Sequence, residues 1–243
     1  MIRIRNKMLS PTAINTYLYC PRKYFFRYIK KLRTKPSIHL IRGLIVHKTI
    51  QEFHQDQPKV FHKLPVEMVS NKLLDIFNRR WESSKEQLNK LGLPQNEIDF
   101  FHDDSERMLI NFSHWFCGCA WSPADSSEEK MFSKHLKLMG IVDAIHRIGE
   151  KVAIVDYKTS KHAKVTDEIL RQAALYALLY QDKYNVVPDT VFIHFLTEPG
   201  NPEPIHIDEA ILEYGKILIE HIREVTATDD EKDYPCKCGG YCE

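Results

Sequence analysis

Residues 140–160, GIVDAIHRIGEKVAIVDYKTS, decide how the rest of the chain reads. The arms GIVDAIHRI and KVAIVDYK are apolar and β-branched, and Gly149-Glu150 marks a bend between them, the pattern of a β-hairpin. With those two residues as the loop the register is fixed, and Asp143 falls directly opposite Asp156. Side chains alternate along a strand, so Asp156 and Lys158 share a face. Two carboxylates and an ammonium then converge on one patch. KVAIVDY is apolar on both faces, as expected of a central strand covered from both sides. Carboxylates placed there repel one another and lose hydration. A hard divalent cation relieves both costs, because Mg²⁺ and Mn²⁺ take oxygen ligands. The plainer alternative is a cross-strand pair at a solvated edge, with Lys158 neutralising Asp156.

The 243 residues suit one large domain or two small ones, and 43% hydrophobic with 28% charged content is ordinary for a soluble globular protein. No apolar run reaches the length of a membrane span, and MIRIRNKM leads into no signal-type apolar segment, so a cytoplasmic location with no membrane partner is the default expectation. Net charge is +1, but its distribution is uneven. Twelve of the 34 Lys and Arg fall in residues 1–51, where there is no Asp or Glu; the remainder sets 22 cations against all 33 acids. A basic N-terminal fifth with interleaved aromatics, RKYFFRYIKK, is the footprint of a protein that meets a polyanion. The alternative is a solvated helix face paired with the acidic remainder.

Ser10-Pro11 is a good helix start, Ser as N-cap and Pro at the first helical position. The helix carries Ala13, Ile14, Tyr17 and Leu18 on one face, is interrupted at Cys20-Pro21, and resumes as RKYFFRYIKKL. Tyr24, Phe25 and Tyr28 are expected in the core, with Arg22, Lys23, Arg27, Lys30 and Lys31 as candidate phosphate contacts. A third helix over 38–54 offers Leu40, Ile41, Leu44, Ile45, Ile50 and Phe53 as a broad buried face. His47 lies near that face, where a lone histidine is more often a core residue than a ligand. Residues 65–121 read as two long helices broken at Gly92-Leu93-Pro94, with Trp115, Phe116 and Trp121 as core. His102, Asp103 and Asp104 read as a solvated acidic turn, and Cys117 and Cys119 point to different sides.

Residues 122–131 read as a loop, followed by a strand KHLKLMGIVDAI that enters the hairpin. VTDEILRQAALYALLYQDKY is an amphipathic helix that places Gln172 and Tyr176 on one face at i and i+4. TVFIHFL is a buried strand, EPGNPEP a turn, and Asp208 caps a last helix, EAILEYGKILIEHIREV. The expected fold class is α/β, with one compact sheet. Six cysteines are present, three of them in the tail DDEKDYPCKCGGYCE. Cys236, Cys238 and Cys242 supply three thiolates in one tight loop, and Cys20, at an interrupted helix end, is the candidate fourth ligand of a metal or cluster. The alternative is a frayed tail with free thiols.

Together LSPTAINTYLYCPRKYFFRY, RGLIVHKTIQEF, GIVDAI, VDYKTS, the Gln172-x₃-Tyr176 pair and the tail cysteines resemble the PD-(D/E)xK nuclease superfamily. The closer resemblance is to its RecB-like branch with the CRISPR-associated RecB-type exonucleases. Each piece alone is weak; they occur in the family's order and span most of the chain. The resemblance implies a restriction-endonuclease-like core, a mixed central sheet flanked by helices, with a large helical N-terminal half. It implies a single domain over 1–243: a helical basic part and lid at 1–121, the nuclease core at 122–226, and a tail at 227–243 packing on the N-terminal part.

The same resemblance implies His47, Asp143, Asp156 and the Tyr157 carbonyl as ligands of Mg²⁺ or Mn²⁺, and Lys158 as the group that orients water or steadies charge on the phosphate. Gln172 and Tyr176 would position the DNA end or the active-site loop. A [4Fe–4S] cluster on Cys20, Cys236, Cys238 and Cys242 is implied too. The tail spacing is tighter than the family's usual C-x₂-C with a longer gap, which leaves zinc open. The implied activity is metal-dependent hydrolysis of DNA, as an exonuclease on single-stranded or frayed ends. CRISPR adaptation or repair proteins are the implied partners, and a non-cleaving DNA-end-binding adaptor is the competing reading.

Overall fold

The structure, a computed structural model, describes residues 8–56, 63–119, 124–161, 163–240 and 242. Trp121, expected in the core, lies outside them. The hairpin forms with the expected two-residue loop. Strands β2 (Leu138–Ile148) and β3 (Lys151–Lys158) are antiparallel, with Ala144 opposite Val155 and Ile148 opposite Lys151. Gly149 makes the bend at φ +61°, a conformation glycine adopts without steric cost. Val152–Tyr157 are buried without interruption, as a strand covered on both faces must be.

β4 (Thr190–Phe195) lies parallel to β3, so the buried run TVFIHF reads as expected. Two further strands were not anticipated. β1 (Ser126–Ser133) pairs antiparallel with β2, where a loop was expected, and residues 134–137 form the turn that the strand KHLKLMGIVDAI was expected to occupy. β5 (Glu203–His206) pairs antiparallel with β4, just past the expected turn. Both are edge strands of a five-stranded mixed sheet ordered β1-β2-β3-β4-β5. An edge strand with one face in water carries little apolar signal, and β1 buries only Met131 and Ser133.

Ser10 caps α1 (Pro11–Tyr19), its hydroxyl accepting from the Ala13 N–H at 3.2 Å, and Cys20-Pro21 ends it. α2 (Pro21–Tyr24) runs on into a π-helical turn, Phe25–Ile29. α3 (Ile38–Asp56), α4 (Val66–Ser83), α5 (Lys85–Asn89) and α6 (Gln95–Gly118) follow, the last two separated at Gly92, φ +68°. α7 (Asp167–Tyr184) and α8 (Glu209–Val225) are capped by Thr166 and Asp208.

Alternation along β3 shows how the sheet is covered. Val152 and Ile154 join a core with Val191, Ile193 and the inner faces of α7 and α8. Val155 and Tyr157 join a second core built from α3, α4 and α6. A third, small aromatic cluster of Tyr24, Phe25 and Tyr234 ties the tail to the N-terminal helices. Burying the apolar groups of a sheet on both faces is the main stabilising term of such a layered fold.

One part of the helical pattern is corrected. Ile41, Ile45, Ile50 and Phe53 of α3 are buried as expected, but Leu40 is 61% and Leu44 55% exposed. At 100° per residue Leu40 and Leu44 fall on the side of the helix opposite the arc that carries Ile41, Ile45, Ile50 and Phe53, so they face away from the core. Among the described residues no helix is long and apolar enough to cross a membrane.

Candidate active site

The ladder between β2 and β3 runs outward to Ala144 and Val155, and the same register, carried one step on, brings Asp143 to the level of Asp156. There a side chain takes over from the backbone: Oδ2 of Asp143 accepts from the Tyr157 N–H at 2.8 Å. This fixes the Asp143 carboxylate and turns Oδ1 toward His47, whose Nδ1 lies 3.2 Å away. His47 comes from the middle of α3, a helix of 19 residues and about five turns that sets its position.

A fourth group, not anticipated, completes the cluster. The β1–β2 register puts Glu128 opposite Asp143, and one ligand atom from each of His47, Glu128 and Asp143 lies within 4.8 Å of the others. Glu128 adopts φ +50°, in the left-handed region that ordinary side chains avoid. Its neighbour Glu129 points elsewhere, to Lys183 at 2.7 Å and to Tyr184 and Ser126. The signal for Glu128 was the tandem Glu128-Glu129, but nothing in the string says which of the two faces the site.

Asp156 stands beside that trio rather than in it. Only 4% of it is exposed, and its Oδ2 lies 2.6 Å from the Lys158 ammonium, an ion pair without hydrogen-bond alignment. Lys158 also donates to Oε1 of Gln172 at 2.6 Å, and the Gln172 amide donates to the Tyr176 hydroxyl at 2.7 Å. A polar chain thus runs from β3 to α7 and holds the lysine by its head. The Gln172–Tyr176 pair forms because i and i+4 stack on one helix face.

Electrostatics separate the two aspartates. Burial raises the Asp143 pKa, but the charge and hydrogen bond of His47, with the Tyr157 N–H and Lys158, bring it below the usual carboxylate range. Asp156 is raised, first by burial and then by Asp143, with Lys158 opposing. Burial lowers His47, but the Asp143 carboxylate outweighs it and pushes the pKa up to about 9. Three carboxylates around one histidine, with a buried, poorly satisfied Asp156 oxygen, form an oxygen-rich donor set that suits a hard divalent cation.

The four expected sulfur ligands also converge. Sγ of Cys242 lies 3.2 Å from Cys236, 3.5 Å from Cys238 and 3.9 Å from Cys20, and all four lie within 4.8 Å of one another. Backbone N–H groups point at the sulfurs, Lys237 to Cys20 and Gly240 to Cys236. Burial raises the Cys20 thiol, but the backbone N–H groups of Lys237 and Lys23, with Cys238, outweigh it and bring the pKa to about 6. Tyr234, fully buried, stacks on Tyr24 at 6.2 Å and seats the tail.

The candidate phosphate contacts divide. Arg22 serves the tail, donating to the Tyr234 carbonyl at 2.7 Å and pairing with Glu231. Lys23, Arg27 and Lys30 lie over the rings of Tyr19, Tyr28 and Phe25. Arg27, Lys30 and Lys31 are exposed, and Lys30 and Lys31 begin a solvent-facing run to Ser37. The expected acidic turn forms instead one flank of helix α6, where His102 contacts Asp103 and Asn78.

A lysine two residues after a central-strand aspartate, a second aspartate across the hairpin, and a histidine and a glutamate closing the cluster make up the candidate site. The family model described as the PD-(D/E)XK nuclease superfamily matches residues 8–243, and the chain belongs to that superfamily. The crystal structure described as "Putative exonuclease" from Eubacterium rectale superposes with a TM-score of 0.62 at 12% identity, covering 98% of this chain and 86% of that one. That likeness is one of fold. Comparison with curated proteins gives no match.

Proposed function

We propose that the chain is a divalent-cation-dependent deoxyribonuclease that acts as an exonuclease on single-stranded or frayed DNA ends. The observation that carries the reading is the joint placement of His47, Glu128, Asp143, Asp156 and Lys158 at one end of the sheet. His47, Glu128, Asp143 and Asp156 would hold Mg²⁺ or Mn²⁺, with the Tyr157 carbonyl beside them. Such a cation lowers the pKa of an attacking water and offsets charge on the phosphate. Asp143 is held ready by the Tyr157 N–H, so its carboxylate loses little freedom when the site assembles. Lys158, held by Gln172 and Asp156, would sit beside the phosphate oxygen on which charge grows. Gln172 and Tyr176 keep the lysine in one rotamer and face the DNA end. The exposed cations from Arg27 to Lys35 supply sequence-independent attraction for the backbone.

At the tail we propose a single tetrahedral ion of the zinc type on Cys20, Cys236, Cys238 and Cys242. A metal with sulfur bonds of about 2.3 Å gives a tetrahedron with edges of about 3.8 Å, close to the sulfur separations here. In a [4Fe–4S] cluster each cysteine holds a different iron, and the sulfurs would have to spread apart. Elemental analysis of the protein as purified under anaerobic conditions separates the two: one zinc and no visible colour supports the single ion, whereas four irons and a brown protein overturns it.

The exonuclease reading is tested with linear single strands labelled at either end and with circular single-stranded DNA, in Mn²⁺. Mononucleotides released from the linear strands, with the circle intact, are the expected products. Cutting of the circle would overturn exonuclease action while leaving nuclease action standing.

A further inference from the structure

α3 carries two large apolar side chains that the protein leaves in water. Leu40 and Leu44 are 61% and 55% exposed, on a helix whose other apolar residues, Ile41, Ile45, Val46, Ile50 and Phe53, are nearly all fully buried. Apolar surface left in water forgoes the stabilisation that burial gives. Their placement is not arbitrary. Residues 40, 44 and 47 fall within a narrow arc of the helix, so the two leucines lie in line with His47. With a rise of 1.5 Å per residue, Leu44 stands about 4.5 Å and Leu40 about 10.5 Å along the axis from His47.

This half of α3 is pinned beside the catalytic strand. Arg42 donates to the Thr159 carbonyl at 2.6 Å, one residue past Lys158, and also pairs with Asp104 of α6 at 2.5 Å. A Cβ on Gly43 would lie 3.2 Å from Thr159 Oγ1. The stretch that leads into the helix, residues 30–37, is exposed throughout and carries Lys30, Lys31, Arg33 and Lys35. Cationic backbone contacts followed by an apolar ledge are the two elements of a single-strand groove, charge for the phosphates and apolar surface for the base faces.

We propose that Leu40 and Leu44 form a shelf on which the unpaired bases of a DNA strand pack as it approaches His47, so that the site receives single strands in preference to duplex. The proposal rests on the nuclease reading for its ligand but is tested by binding alone. Leu40 and Leu44 stand about 6 Å apart along the axis, so at about 3.4 Å per stacked nucleotide the shelf spans roughly two bases. A duplex keeps its bases stacked inward and offers the leucines nothing apolar to cover.

The test compares the wild type with Leu40→Gln/Leu44→Gln, a change that keeps helix propensity near that of leucine. Binding of a fluorescent single strand is read by anisotropy with Ca²⁺ as the metal, once with intact bases and once with a run of abasic sites. The expected result is about tenfold weaker binding of the intact strand by the variant and equal binding of the abasic strand by both proteins. Leu40→Met/Leu44→Met keeps the apolar surface and should bind like the wild type. Equal losses on both strands, no loss at all, or a wild type that binds no single strand would overturn the shelf. So would a wild-type dimer that the glutamine variant dissolves in sedimentation velocity, since the leucines would then serve a second copy of this chain. Absence of cleavage with Mg²⁺ or Mn²⁺ would sink the nuclease reading without altering this binding difference.

Discussion

Lys158 is held at its head by two partners. It is held by Asp156 and Gln172 at 2.6 Å each, and Gln172 is held in turn by Tyr176. Lys158→Ala should lower cleavage by a factor of about 10² or more, with binding of DNA retained. Gln172→Ala should cost about 10- to 100-fold, because it loosens the lysine without removing it. Glu128→Gln should shift the Mn²⁺ dependence of cleavage to about 10- to 100-fold higher concentration. Metal titrations of each variant check these outcomes; an unchanged Mn²⁺ dependence in Glu128→Gln would remove Glu128 from the site. Asp143, Asp156 and Lys158 were legible because a two-residue loop fixes a register and a register fixes neighbours. Glu128 was not, because its strand is polar and its φ of +50° follows no local sequence preference. His47 was ambiguous from its own helix, since the group that distinguishes it, Asp143, lies 96 residues away.

At the scale of elements, the site depends on how closely α7 lies on β2. Gly140 faces that helix, and a Cβ there would stand 2.8 Å from Leu179 Cδ1 and 3.3 Å from Tyr176 Cε1. Gly140→Val should therefore push α7 outward. The expected cost is about 1–3 kcal/mol of stability, together with reduced cleavage, because Tyr176 and Gln172 move with the helix. Denaturant melts beside rate measurements test this; a fully stable, fully active variant would contradict the packing. The central strands and long helices were legible from their periodicity and caps. β1 and β5 were not, because short edge strands bury little and are defined by the neighbour they bond to. The leucines of α3 show the converse: Leu40 and Leu44 lie on the side of the helix opposite Ile41, Ile45 and Ile50, so apolar character alone does not place them in the core.

Across the whole molecule two features set its tolerance to conditions. The helical half encloses His54 and His194, with burial pulling their pKa values down to about 3 and about 4, and His146 adding to the shift at His54. In the unfolded chain a histidine titrates near 6.5, so the unfolded state takes up protons that the folded core refuses. The stability these groups allow is complete above about pH 6.5 and declines as pH falls toward 4, by up to about 1.4 kcal/mol per pH unit for each histidine. His194, 1% exposed with neither ring nitrogen hydrogen-bonded among the described residues, lies 4.7 Å from the Trp115 ring. His194→Phe should flatten the fall of Tm between pH 6.5 and 4.5; an unchanged slope would contradict its neutral burial. The tail is the second feature. Cys20→Ser should release residues 234–242 to proteolysis, because the sulfur site and the Tyr234–Tyr24 stack hold the same segment. The convergence of the four cysteines was legible from composition and from the broken helix at Cys20, whereas the spacing of their sulfurs needed coordinates. The account as a whole is tested most directly by digestion of an end-labelled single strand with wild type and Asp143→Asn, in Mn²⁺ and in EDTA. The account predicts cleavage by the wild type in Mn²⁺ alone and none by the variant. Cleavage that survives EDTA, or an Asp143→Asn protein as active as the wild type, would contradict it.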